Sequence, residues 1–380
     1  MEHCSNSLII QNLKKFLKIL VLLILIQQLK TQLKCIKKKI NNVVFFIITL
    51  LLNLVKKNYL STKIEIYQIM SKKKIFITGG AGYLGSVLTN LLLRKGYKVK
   101  ILDNLMYGGE QLIEHIQNKN FEFVKGDIRN ENHVKQNIED ADVIIHLAAI
   151  VGYPACSKNK KFATDINVNG TKNVLKYKKK NQLIIYASTG SNYGSIAEIC
   201  TEETKLNPLT VYGKTKTKSE KLVSQSNNFI AFRFATAFGS SPRMRLDLMV
   251  NDFVYKLMTQ NYLVVYEKNF MRTFIHVKDI ARSFVHAIEK HKIMKNQIYN
   301  IGDDRLNYSK EEVCNMIKKK IDGYVYFAEI GEDKDKRNYV VSYEKIRKTG
   351  FRLKYDLDYG INELIQTMPL INNQSKFFNA

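Results

Sequence analysis

From Lys72 onward the chain alternates short apolar runs with longer stretches in which apolar residues recur at helical spacing. The runs are "KIFIT" (74–78), "KVKIL" (98–102), "FEFV" (121–124), "DVIIHL" (142–147), "LIIYAS" (183–188) and "FIAFRF" (229–234). They are rich in β-branched and aromatic residues and read as strands. Stretches such as "LTNLLLRKG" (88–96) read as helices, with Gly96 as a C-terminal stop. Strands that are apolar throughout, with helices between them, predict a parallel sheet covered on both faces, an α/β doubly wound fold. Later, "TFIHV" (273–277), the helix "DIARSFVHAIEK" (279–290) and "QIYNIG" (297–302) read as a return to the same sheet.

The pattern before Lys72 is different. Residues 1–69 hold no Gly or Pro, eleven Lys, and only Glu2 and Glu65 as acids. Two lysine-bounded apolar runs, "ILVLLILI" (19–26) and "VVFFIITLLL" (43–52), are each shorter than the roughly 20 residues that span a bilayer. The first resembles a signal-peptide core behind Lys14, Lys15 and Lys18, without a small-residue cleavage site after it. Two readings stand: translated sequence ahead of a functional start at Met70, or a membrane-surface anchor. The first predicts a cytoplasmic protein, the second a membrane-associated one.

Composition narrows the class. A chain of 380 residues, 45% hydrophobic, can bury a large core. Five scattered cysteines with no CxxC pair predict reduced thiols, without a disulfide frame or a metal cage. The formal charge of +26 invites a nucleic-acid reading. Much of it comes from residues 1–69, and the rest is spread over short runs such as "KYKKK" (176–180) that suit solvated helix ends. No nucleic-acid partner is expected.

The chemistry begins at "TGGAGYLG" (78–85), where Gly79, Gly82 and Gly85 stand between a strand and a helix. Glycines there permit a tight turn and close approach of backbone to a pyrophosphate, which the helix N-terminus then attracts. Asp103 ends the next strand, in "ILDNL", placed to accept hydrogen bonds from an adenosine ribose and to repel a 2′-phosphate. NAD is therefore expected over NADP. A turn-initiating aspartate is the competing reading.

With its GxxGxxG spacing the chain resembles the extended short-chain dehydrogenase/reductase family, the NAD-dependent nucleotide-sugar epimerases and dehydratases. The resemblance runs from about Lys72 to about Gly350. It implies a Rossmann-type sheet with a smaller C-terminal substrate-binding lobe: residues 70–234 with 272–302 in the first, 235–271 and 303–370 in the second, and 371–380 as a tail. It implies cofactor contacts from Tyr83, Leu84 and Asn104, from Asp127 and Ile128 in "GDIRN", from Leu147, Ala148 and Ala149 in "HLAA", and from Asn167 in "NVNGT". It also implies a homodimer and a nucleotide-sugar substrate.

"VYGKTK" carries Tyr212 and Lys216, four apart and so on one helix face. A phenol is a poor base at neutral pH, and a nearby ammonium would favour the phenolate that takes a sugar proton. By the family's spacing Thr189, in "YASTGSNYG", is the catalytic hydroxyl, with Ser188 its neighbour. The family's sugar 4,6-dehydratases carry an Asp-Glu pair directly after that Thr; here Gly190 and Ser191 stand instead. An elimination would lack its acid and base. On the substrate side, Thr236 replaces the asparagine usual in 4-epimerases, and Arg243 and Arg245 lie on a loop placed to meet phosphate, with a solvated basic loop as the competing reading. The resemblance implies Arg272 as a diphosphate ligand, with Arg337 a second candidate. The expectation is an NAD-dependent nucleotide-sugar epimerase, with a reductase or dehydrogenase and a non-catalytic dinucleotide sensor as rivals.

Overall fold

The computed structural model describes residues 3–36, 73–331, 337–371 and 377–379. It divides into two units, Met1–Lys72 and Lys73–Ala380. In the first, the described residues form one helix, His3–Ile36. It carries the run 19–26, with Leu17, Val21 and Leu25 about half exposed. Among the described residues no helix is long and apolar enough to cross a membrane. The run 43–52 and Met70 lie outside the described residues.

The second unit is built on strands β1 (Lys74–Thr78), β2 (Lys98–Asp103), β3 (Phe121–Lys125), β4 (Val143–His146) and β5 (Leu183–Thr189). Then come β6 (Ser195–Cys200), β7 (Phe229–Phe234), β8 (Thr236–Phe238), β9 (Tyr262–Tyr266), β10 (Met271–His276) and β11 (Gln297–Ile301). The last three are β12 (Asn307–Ser309), β13 (Tyr324–Ala328) and β14 (Asn338–Val341). Seven of them form one sheet in the order β11-β7-β5-β4-β1-β2-β3, every pair parallel.

Alternation along β1 shows why these runs are apolar throughout. Ile75 and Ile77 enter a core on one face with Val99, Ile101, Val143 and Ile145. Phe76 enters the core on the other face with Leu102, Ile144 and Ile184. Period-two side chains with both faces covered leave no polar side. The helices Tyr83–Arg94 and Val277–Glu289 cover the first face through Leu88, Leu92, Ile280 and Phe284. The helices Glu131–Ile138, Thr171–Tyr177 and Val211–Ser224 cover the second through Val134, Val174 and Val223.

Strand order reverses between β1 and β4, because the chain builds outward to β3 and then returns to start the other half. A crevice opens at the carboxyl ends of these strands, the place where open parallel sheets bind ligands.

The return to the sheet differs from expectation in one part. β11 adds beside β7, but β10, the "TFIHV" strand, stands in a three-stranded sheet of its own between β8 and β12. Its partners explain this: Phe274, Ile275 and His276 register with Thr236, Ala237 and Phe238, which continue past the end of β7. Phe238 and Phe274 enter a separate core with Leu257, Val313, Ile317 and Ile361, the centre of the C-terminal lobe. The expected tail is not all free, since Phe377 and Phe378 pack on this core and the Leu246 amide donates to the Phe377 carbonyl (3.0 Å).

Candidate active site

The crevice is walled by the ends of β1, β2, β4, β5 and β7 and by the loop after β8. The glycine turn has the shape a pyrophosphate needs. Gly79 has φ +77°, and a Cβ there would lie 2.6 Å from the Ala148 amide nitrogen; one at Gly85 would lie 2.4 Å from the Gly79 carbonyl oxygen. Both positions are closed to any side chain. Gly82 is different: its Cβ would meet only the Gly79 carbonyl, at 3.4 Å, and it caps the helix Tyr83–Arg94 without a side-chain bond. The first amides of that helix are thus left to an anion.

Asp103 lines the crevice at the end of β2. Its carboxylate accepts from the Leu105 amide (2.8 Å), as a turn-initiating Asp does, and from the Ala81 amide of the glycine turn (3.0 Å). Burial raises its pKa against those two bonds and the charge of Arg243. Asp127, at the end of β3, is raised by burial but held lower overall by its pair with Arg129 (2.7 Å). Asn104, Tyr83, Leu84, Ile128, Leu147, Ala148 and Ala149 complete this end of the wall. Asn167 lies behind it, buried in a π-helical turn. It bonds both the amide and carbonyl of Ile150 (2.8 and 3.0 Å) and the Thr215 hydroxyl (3.0 Å). It therefore ties the loop after β4 to the helix Val211–Ser224 and does not line the crevice.

At the other end Thr189, Tyr212 and Lys216 share one wall. Thr210 caps the helix Val211–Ser224 by accepting from the Gly213 amide (3.1 Å), which fixes where Tyr212 starts. The Tyr212 phenol is pushed up by burial, against a hydrogen bond with Thr189 and the charges of Arg245 and Arg337. Desolvation outweighs these contributions. Lys216 is buried, its pKa lowered to about 7 by desolvation, and its ammonium lies 4.2 Å from the centre of the Tyr186 ring.

A buried network holds this wall, and sequence reasoning missed it. Ser188 donates to Glu220 (2.6 Å), which receives Arg233 in a fork (2.7 Å at the shortest) with both side chains only 4% exposed. Arg233 also reaches the Tyr193 hydroxyl (3.0 Å), which bonds Asn300 (2.7 Å). Spacing carried a signal: Tyr212, Lys216 and Glu220 are successive i, i+4 positions on one helix.

Thr189 donates to Ser191 (3.1 Å), and Arg337 donates to Ser191 as well. A Cβ on Gly190 would sit 3.1 Å from the Tyr339 hydroxyl and 3.2 Å from the Phe234 carbonyl. Thr236 lines the crevice with a buried hydroxyl that has no partner. Arg243, Arg245 and Arg337 line it too. Arg272 does not; it is buried and donates to the carbonyls of Met271 and Arg337, so it supports the segment that carries Arg337. Arg245 is matched by Asp247 (2.6 Å).

Such a sheet, with a glycine-turn helix, Asp103 after it and Thr189, Tyr212 and Lys216 in one crevice, is that of a dinucleotide-dependent enzyme. The chain belongs to the NAD dependent epimerase/dehydratase family, whose model matches residues 75–302. Its cofactor is accordingly NAD. A putative UDP-glucose 4-epimerase of Methanocaldococcus jannaschii is 30% identical, across 77% of this chain and 98% of that protein. A trifunctional UDP-glucose 4,6-dehydratase, epimerase and reductase of Arabidopsis thaliana is 27% identical across 77% of this chain, which spans about half of that protein (46%). Among solved structures, an epimerase from Methanothermobacter thermautotrophicus matches with a TM-score of 0.70 at 25% identity, covering 80% of this chain and 96% of that one.

Proposed function

We propose that the protein is an epimerase of nucleotide sugars that works through a transient keto sugar. One observation carries the choice within the family. Among the described residues, the only carboxylates in the crevice wall are Asp103 and Asp127, both at the adenosine end, while Gly190 and Ser191 follow Thr189. Among the described residues no carboxylate stands at the reacting end to remove a carbon-bound proton or to protonate a departing hydroxyl, which disfavours expulsion of water. The name of the Methanocaldococcus jannaschii relative points the same way and suggests a uridine diphosphate sugar inverted at carbon 4.

Bound NAD supplies a hydride acceptor that gives the hydride back within one turnover. The chain's residues handle the proton and the orientation. Tyr212 takes the proton from the sugar hydroxyl, and Thr189 holds that oxygen as it becomes a carbonyl. Lys216, its charge poised by burial, favours the tyrosinate. Arg337 and the free Thr236 hydroxyl face the substrate side of the crevice. Return of the proton from Tyr212 completes inversion once the keto sugar has turned its other face.

The test is incubation with a panel of nucleotide sugars, with products resolved by chromatography and mass spectrometry. An epimer of unchanged mass, formed without accumulation of NADH, is expected. A dehydrated 4-keto-6-deoxy product would restore the dehydratase, and stoichiometric NADH would establish a dehydrogenase.

A further inference from the structure

Arg243 reads from sequence as a substrate-side residue on a loop placed to meet phosphate, and its surroundings bear on which phosphate that is. Its side chain is buried, 3% exposed, and lines the crevice. Its Nε and Nη2 are buried with no hydrogen-bond partner. A buried guanidinium with idle donors is costly unless a ligand occupies them. Arg245, two residues on, already has Asp247.

Three observations say which ligand. First, the guanidinium lies 4.3 Å from the ring centre of Tyr107, in the segment after β2 that follows the ribose-side acid. Second, its charge acts on Asp103 and on Tyr107, the latter shared with Arg245. Third, the loop that carries Arg243 is fastened to the start of the phosphate-binding helix. Tyr83 donates from its hydroxyl to the Gly239 carbonyl (2.7 Å), the Ser241 hydroxyl donates to the Tyr83 carbonyl (2.6 Å), and Ser86 and Ser241 share a hydroxyl contact (3.0 Å).

We propose that Arg243 is a ligand of the cofactor's own pyrophosphate, closing it from the side opposite the glycine turn, with Tyr107 holding the guanidinium plane. A planar fork suits two phosphate oxygens. The loop then acts as a clasp that retains NAD between turnovers. The inference rests on NAD being the cofactor and concerns the function of one side chain toward it.

Binding measurements on the full chain separate the sources of phosphate. Arg243→Ala and Arg243→Lys are titrated calorimetrically with NAD, ADP and adenosine, and, once saturated with NAD, with uridine diphosphate. For Arg243→Ala, NAD and ADP should weaken about 10- to 100-fold, the range for a lost charge-assisted pair. Adenosine and uridine diphosphate should change less than about threefold. Arg243→Lys, which keeps charge and stem, should fall between wild type and Ala and covers the case in which Ala does not fold. Tighter retention should also show as NAD that co-purifies with wild type and is lost from the variants. Weakened uridine diphosphate with NAD unchanged would assign Arg243 to the substrate and overturn the proposal, as would no change in either ligand. Wild-type protein that binds no NAD would instead sink the cofactor assignment itself.

Discussion

At the scale of single residues, the site is governed by desolvation. Lys216 must be charged to support a tyrosinate, yet burial brings its pKa to about 7 from the usual 10.5. In the unfolded chain it stays protonated to higher pH, so between about pH 7 and 10.5 the folded apoprotein binds fewer protons and gains stability as pH rises. Lys216→Met should therefore raise the melting temperature of NAD-free protein at neutral pH, by an energy on the order of 2–4 kcal/mol. It should lose turnover at the same time. Differential scanning calorimetry at pH 7 and 9 reads this, and a variant less stable than wild type at both would show that the ammonium is well compensated. Tyr212→Phe should keep NAD binding and lower kcat by about 10²–10⁴-fold. A near wild-type rate in a product assay would remove Tyr212 from the chemistry.

The Glu220–Arg233 pair belongs to the same scale but serves the framework. Glu220→Gln leaves a buried guanidinium short of its counter-ion and should cost about 3–5 kcal/mol. Urea unfolding measures it. A loss below 1 kcal/mol would mean that Tyr193 and the Glu202 carbonyl, which also accept from Arg233, suffice.

At the scale of elements, the strands of the large sheet were legible because they are apolar on both faces and flanked by helices. Gly79, Gly82, Gly85 and Asp103 were legible because a strand–turn–helix frame surrounds them. β6 and β14 were not, since "SIAEIC" and "NYVV" lie outside the large sheet and pair only with each other, far apart in the chain. β10 was read as a strand but assigned to the wrong sheet. Periodicity reports how a strand is covered, not which neighbour it pairs with, and that choice depended on β8. Arg272 illustrates the same limit within the site: its position in the chain suggested a ligand, while its contacts show a support for Arg337. The glycine turn gives a test at this scale. Gly85→Ala drives a Cβ into the Gly79 carbonyl and should abolish NAD binding and lower stability by about 1–3 kcal/mol. Unchanged NAD affinity by calorimetry would show that the turn relaxes easily.

At the scale of the molecule, every strand of the large sheet finds its neighbours between Lys74 and Ile301. A chain that starts at Met70 should therefore fold, bind NAD and match full-length turnover. Membrane flotation of the full chain but not of the shorter one would identify residues 1–69 as an anchor. Failure of the shorter chain to fold would show that they pack on the enzyme.

The crowding around Gly190 bears on how readily such an enzyme could be converted into its dehydrating cousins. An aspartate there needs a Cβ where the Tyr339 hydroxyl and the Phe234 carbonyl already stand within 3.1 and 3.2 Å. Tyr339 comes from β14, a strand distant in sequence, and the Phe234 carbonyl is main chain that cannot be exchanged. Installing the acidic pair at 190 and 191 alone would thus require Tyr339 or the main chain at Phe234 to give by a few tenths of an ångström. Conversion is expected to go further when Tyr339 is trimmed along with the two exchanges, so the order of changes counts as well as their number.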